Sequence, residues 1–217
     1  MTGARGLPDV LPIFPLPNVV HFPGVPLPLH IFEPRYRDMV RDALAGDRLI
    51  GMVLLRAGWE PEYQGRPTVF ETGTAGRIVH SDRLGDGRFN VVLRGEREFR
   101  VRRELDGTSY RRAIVAWRRP PTDALSSQSR DRVWMLARDL LRDTGRNGVL
   151  PAAPRPDVSD EVLLGSLAQH LDLPPVERLG ILEAETLAER ASRLIASLEF
   201  QRRAAQAPDM PGSKRPQ

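Results

Sequence analysis

Residues 11–40 read LPIFPLPNVVHFPGVPLPLHIFEPRYRDMV, and seven of these thirty residues are proline. The rest are largely Leu, Ile, Val and Phe, so the segment is built for burial while proline forbids it a helix for most of its length. Proline is tolerated at strand starts, edges and bulges. The segment therefore predicts two short strands, Leu11–Phe14 and Val25–Ile31, joined as a rigid, bulged hairpin by PLPNVVHFPG, with Pro23-Gly24 as a turn signal. Glu33-Pro34 then opens a helix, since proline suits the first helical turn. Tyr36, Met39, Val40, Ala43 and Leu44 recur at helical spacing, and Gly46 supplies the stop.

Downstream of this point the pattern remains β-like. RLIGMVLLR (48–56) is a continuous apolar run suited to a buried strand, and residues 58–73, with Trp59 and Tyr63, form an irregular connection. Asp86-Gly87 marks a hairpin turn, with Ile78 before it and Phe89, Val91 and Leu93 alternating after it. Gly95 is expected to break that ladder, after which Phe99 and Val101 resume one face and Arg100 and Arg102 the other. YRRAIVAW (110–117) is the last strand, and Pro120-Pro121 ends it.

Beyond the prolines the periodicity is helical. Val133, Leu136, Leu140 and Leu141 share one face; Ser159 with Asp160 and Glu161 starts a second helix; Leu182, Leu187, Leu194 and Leu198 mark a buried stripe. The fold class is thus α+β. The expected organisation is a frayed start (1–8), a β-barrel domain (9–119), a linker (120–128), a helical domain (129–203) and a disordered tail (204–217).

Composition narrows the chemistry. Of 32 basic residues among 217, 31 are arginine and one is lysine, Lys214, against 28 acidic residues. A P-loop, a Ser–Lys dyad and a Schiff-base lysine all need a lysine that the body of the chain lacks. Cysteine is absent, excluding disulfides and fitting a reducing cytoplasm. No apolar run reaches the length of about 18 residues that spans a membrane. His21, His30, His80 and His170 are too scattered for a metal motif, and no nucleophile elbow or dinucleotide loop is present. The sequence accordingly predicts no enzyme, no metal and no cofactor.

Two binding surfaces remain. Nine arginines lie in residues 94–119 (94, 97, 100, 102, 103, 111, 112, 118 and 119), with Tyr110 and Trp117 interleaved. This pattern suits RNA, with Arg100, Arg102 and Arg112 as the contacts. The admixed Glu96, Glu98, Glu104 and Asp106 suit an ion-paired solvated face instead. The opening segment is either a stiff apolar surface on which an extended peptide docks or a loop that plugs the barrel.

The order of these pieces resembles the LON substrate-binding domain, the N-terminal domain of Lon-type proteases, which also occurs as a stand-alone protein. The likeness runs through residues 11–40, GTAGRI (73–78), DGRFNVVLRGEREFRV (86–101) and the helical LLGSLAQHLDLPPVERLGILEAETLAERASRLIASLE, about residues 9–200 in all. One departure is Arg97-Glu98-Phe99, where the family sets arginine beside phenylalanine. The resemblance implies a PUA-like β-barrel followed by an α-helical bundle. It also implies a module that binds unfolded or specific client proteins or peptides, with a protease as partner and without the ATPase and protease domains. The expected peptide contacts are Phe22, Leu27, Phe32 and Tyr36, with Glu33 and Arg35 as polar anchors or as structural caps of the helix.

Overall fold

The computed structural model describes residues 6–62, 65–146, 150–151 and 153–206. Tyr63, Lys214, most of the expected disordered ends, and Asn147–Val149 and Ala152 of the proline-rich segment 147–158 lie outside these residues. Strands β1 (Val10–Leu16) and β2 (Pro26–Ile31) precede helix α1 (Pro34–Ala45). Strands β3 (Leu49–Leu55), β4 (Val69–Arg83), β5 (Phe89–Leu105) and β6 (Arg112–Trp117) follow. Helices α2 (Ser127–Asp143), α3 (Asp160–His170), α4 (Pro175–Glu183) and α5 (Leu187–Gln206) complete the chain. The result is a mixed sheet with five α-helices. α5 continues through Gln206, past Ala204 where the tail was expected to begin.

The sheet order is β2-β5-β4-β3-β1-β6, and β5 also pairs with β6. The pairings β5-β4-β3-β1-β6-β5 therefore close on themselves and leave β2 outside the ring. This corrects the expected first hairpin, because β1 and β2 do not pair. β1 runs parallel to β3 (Ile13 opposite Gly51) and antiparallel to β6 (Leu11 opposite Ala113), whereas β2 pairs only with β5. The physical reason lies in residues 17–25. A segment of that length with prolines at 17 and 23 cannot make a tight turn, and Val20, Phe22 and Val25 leave the sheet for another core, while Val19 stays with the α1 cluster.

That core is helical. Val20, Phe22 and Val25 join Leu54 and the buried faces of α2 to α5 in one cluster. The segment thus neither plugs the ring nor lies open; it is the seam between sheet and helices. Gly95 and Gly165 explain how it fits. A Cβ on Gly95 would lie 2.0 Å from the Phe22 carbonyl oxygen, and one on Gly165 would lie 2.7 Å from Phe22 Cβ. Gly95 does not end its strand: β5 runs through it, with a register shift opposite Ala75 and Gly76.

A second cluster packs Tyr36, Met39 and Val40 of α1 on Phe14, Ile50, Met52, Ile78 and Leu93. A third lies inside the ring around Leu11, Ile13, Val53, Phe99 and Val115. The helix starts read in the sequence are present: Pro34 sits in the first turn of α1, and the Ser159 hydroxyl accepts from the Val162 amide at the start of α3. Among the described residues no helix is long and apolar enough to cross a membrane.

Candidate functional site

β2 is an edge strand whose prolines decide what its edge can do. Pro26 and Pro28 have no N–H, so they occupy the positions facing away from β5, and the odd-numbered residues carry the ladder. The Pro26 carbonyl confirms the direction, since it accepts from Gln169 Nε2 of α3 at 2.9 Å. The Val25 carbonyl points the other way, accepting from the Gly95 amide at 3.1 Å. Beyond Pro26, whose carbonyl Gln169 occupies, the free edge of β2 offers carbonyls but, apart from His30, no donors. Such an edge resists the addition of another strand.

The side chains follow the same period of two. Leu27, Leu29 and Ile31 turn inward onto the α1 cluster. Pro26, Pro28, His30 and, past the strand end, Phe32 are exposed, and Phe32 keeps 59% of its surface in solvent. The His30 and Phe32 rings stack with centroids 6.2 Å apart, and His30 Nδ1 lies 2.7 Å from Asn90 Oδ1. Beside them is a shallow hollow of about 360 Å3 lined by Pro28, His30, His80 and Val92. Val79, 54% exposed, lies in the β4 irregularity nearby. These rings form an exposed apolar stripe on an edge strand that α3 touches only at its Pro26 end.

On the other side of the β2–α1 corner is a cleft of about 290 Å3, walled by Pro15, Arg35, Tyr36, Leu55, Tyr110 and Arg111. Tyr36 packs on Phe14 at 4.3 Å, and the Arg35 guanidinium lies over the Tyr36 ring at 4.6 Å while pairing with Glu33 at 3.0 Å. Tyr110 donates its hydroxyl proton to Asp42 at 2.8 Å. Burial first, and then the Asp42 carboxylate, push its pKa up to about 12. Arg111 holds Glu104 and the Pro67 carbonyl.

The predicted peptide contacts are thus spread over several environments. Phe32 is exposed; Glu33 and Arg35 form a half-buried ion pair at the rim; Tyr36 is buried and shows only its cleft side. Leu27 is partly buried against the α1 core. Phe22 is 1% exposed and enclosed by the helices, so the structure removes it from any contact surface. Glu33 stands at the N-cap of α1, but its carboxylate does not cap: it makes no side-chain hydrogen bond to the first-turn amides. Sequence reasoning missed Pro26, Pro28 and His30, although their period of two with Phe32 was readable. It also missed Tyr110 and Arg111 as neighbours of Tyr36, which only the β5–β6 closure brings there.

The arginine-rich face answers both sequence readings in part: each admixed carboxylate is ion-paired, Glu96 to Arg77, Glu98 to Arg118 and Arg190, Glu104 to Arg111 and Asp106 to Arg66. Arg111 and Arg118 are ion-paired, to Glu104 and Glu98, while the other seven of the nine make no ion pair among the described residues. Arg100 and Arg102 are exposed, and Arg112 donates to the Asp106 carbonyl. The aromatics are withdrawn: Tyr110 is 8% exposed, and Trp117 packs edge-on to Phe99 and donates to the Pro8 carbonyl. Among the described residues no stacking platform remains on that face. Among the described residues no three His, Cys, Asp or Glu side chains are grouped to hold a metal ion.

Comparison with known proteins agrees with the fold. The chain is 30% identical over 212 residues to Lon protease 2 of Myxococcus xanthus, covering 93% of this chain and 25% of that protein. It is 29% identical to the Lon protease of Anaeromyxobacter dehalogenans, over 93% of this chain and 24% of that one. The chain therefore spans about a quarter of the length of these curated relatives. The crystal structure of a Lon N-terminal domain protein from Xanthomonas campestris superposes with a TM-score of 0.62 at 29% identity, covering 86% of this chain and 97% of that one. The N-terminal domain of the Mycobacterium avium complex Lon protease shares the fold, with a TM-score of 0.61 at 15% identity over 88% and 98% of the two chains. The family model for the ATP-dependent protease La (LON) substrate-binding domain matches residues 10–199, and the chain belongs to that family.

Proposed function

We propose that this chain is a non-catalytic, cytoplasmic recognition module that binds unfolded or specific client polypeptides, for a protease partner, at the corner between β2 and α1. The observation that carries the reading is the exposed stripe Pro26, Pro28, His30 and Phe32 on an edge strand with almost no free donors. Apolar and aromatic client side chains rest on this stripe, while Leu27 and Tyr36 support it from below and the Glu33–Arg35 pair forms its polar rim. Proline and stacked rings lose little freedom on binding, so a small contact suffices. Because strand addition is blocked, contact runs through side chains, and the client is released easily. We read the closed ring of strands as a PUA-like barrel, with α2 to α5 as a helical bundle behind it.

The test is an NMR titration of the 15N-labelled chain with a denatured model protein. Shifts clustered on residues 26–36 support the reading, and their absence at millimolar polypeptide ends it.

A second reading, RNA or another polyanion on Arg100, Arg102 and Arg112, is favoured by the seven arginines without ion pairs. Its affinity should fall steeply with salt as neutralised phosphates release counterions. Affinity weaker than about 10⁻⁴ M at physiological salt retires it.

A further inference from the structure

The helical half contains a cavity of about 420 Å3, within the range of small-molecule sites, about 300–1,000 Å3. It opens between α2 and α3, far in sequence from the β2–α1 corner. Trp134, Leu141, Leu163, Leu167 and Leu171 make most of its wall. Two cations border it, Arg146 and Arg155. Both are exposed, and neither guanidinium has an ion-pair or hydrogen-bond partner among the described residues. The abundant arginines elsewhere in the helices are mostly engaged: Arg130 with Asp160, Arg132 with Glu199, Arg202 with Asp139 and Asp143. An apolar chamber with two unpartnered guanidinium groups beside it calls for a ligand with a long apolar body and an anionic head.

The polar atoms of the wall decide between a peptide and a simpler molecule. The Pro151 carbonyl already accepts from the Trp134 indole at 3.3 Å, and the Ser166 carbonyl accepts from the His170 ring at 2.8 Å. The Val158 and Arg155 carbonyls both accept from Arg130. A bound peptide would bring several amide N–H and C=O groups into a chamber whose carbonyls are spoken for, and each unmatched group costs binding. A ligand whose only polar group is its head avoids that cost. We infer that this cavity binds an aliphatic carboxylate of about eight to twelve carbons, with its chain against Trp134, Leu163 and Leu167 and its head on Arg146 and Arg155.

The test uses the 15N-labelled chain and sodium decanoate below its micelle concentration, with the Trp134 indole N–H as reporter. Saturable shifts of that signal, and affinity rising about fourfold per methylene from hexanoate to decanoate, are expected. Arg146→Ala with Arg155→Ala should weaken decanoate roughly tenfold, as loss of charge-assisted bonds predicts. Ser166→Phe, which fills the chamber from a half-buried position on α3, should abolish binding while far-UV circular dichroism stays unchanged. Decanol binding as tightly as decanoate to the unaltered protein, or a silent Trp134 signal, overturns the inference. A peptide with an apolar carboxyl terminus that binds tighter than decanoate also overturns it. None of these outcomes depends on shifts at residues 26–36, so this site and the β2–α1 corner stand or fall separately.

Discussion

Glu98 and Arg190 form an ion pair at 2.6 Å across the boundary between sheet and helices, with side chains 5% and 3% exposed. Glu98 lies on β5 and Arg190 on α5. Arg118, just past β6, holds the second Glu98 oxygen at 2.6 Å and also donates to the Leu182 and Glu183 carbonyls that end α4. Arg190 itself donates to the Ala184 and Leu182 carbonyls. Glu98→Ala would leave buried Arg190 with only the more distant Glu161 carboxylate, at 3.8 Å, and should cost about 3–5 kcal/mol in urea unfolding. Replacing Glu98, Arg118 and Arg190 together by apolar residues of similar volume should recover most of that loss. A loss below about 1 kcal/mol in the single variant would show that the pair contributes little to holding the halves together.

His21 gives the pH prediction. Its Nε2–H donates to the Val25 carbonyl at 2.8 Å, and its Nδ1 is buried with no acceptor, so protonation would strand a charged donor. Burial holds its pKa down to about 4, from 6.5. The unfolded chain thus binds a proton that the fold refuses. The stabilisation is complete above about pH 6.5 and is lost as pH falls towards 4, by about 3 kcal/mol in all. Glu98 acts in the opposite sense, since burial raises its pKa and acid favours the folded form. Glu98 contributes equally to the unaltered protein and to His21→Gln, so the difference between their drops from pH 7.5 to 4.5 isolates His21, and the drop should shrink in the variant. An equal drop in both proteins would refute the assignment.

Phe22 and Phe32, ten residues apart, should behave as opposites. Phe22→Ala opens a cavity in the helical cluster and should cost about 3–5 kcal/mol. Phe32→Ala should change stability by less than about 0.5 kcal/mol while weakening polypeptide binding. Thermal melts combined with the polypeptide titration would separate the two, and equal effects on stability would undo the distinction.

Gly95→Ala should be destabilising by about 1–3 kcal/mol, because the added methyl meets the Phe22 carbonyl and the crossing backbone must shift. Gly85→Ala, where a Cβ meets nothing within 4 Å, is the control in the same melts. Indistinguishable melting points would mean that the crossing segment yields more freely than its packing indicates.

Local signals in the sequence were reliable. The proline at the start of α1, the Ser159 cap, the β4–β5 turn at Asp86-Gly87 and the leucine stripes of α2 and α5 all depend on neighbours within a few residues. What was not legible depends on distant pairing. Two apolar strands separated by a short segment read as a hairpin, yet β1 takes β3 and β6 as partners because Val20, Phe22 and Val25 between them are claimed by the helices. Phe22 looked available for the same reason, its burial being supplied by α3, some 140 residues on. Glu98 is the sharpest instance. It read as a departure from the family's arginine–phenylalanine adjacency, and it is the carboxylate that anchors Arg118 and Arg190.

The register of β1 also sets a schedule for synthesis. Val10, Leu11 and Pro12 pair with Ile114, Ala113 and Arg112, roughly 100 residues downstream. At about 5–20 residues per second, a chain leaving the ribosome waits about 5–20 s before that edge can be covered. During the wait the apolar Leu11, Ile13 and Phe14 are displayed to other nascent chains. Prolines 12, 15 and 17 remove three of the amides from that stretch, so a neighbouring strand finds fewer donors to grip. The prolines that kept this segment from being a helix thus also guard it until its own partner arrives.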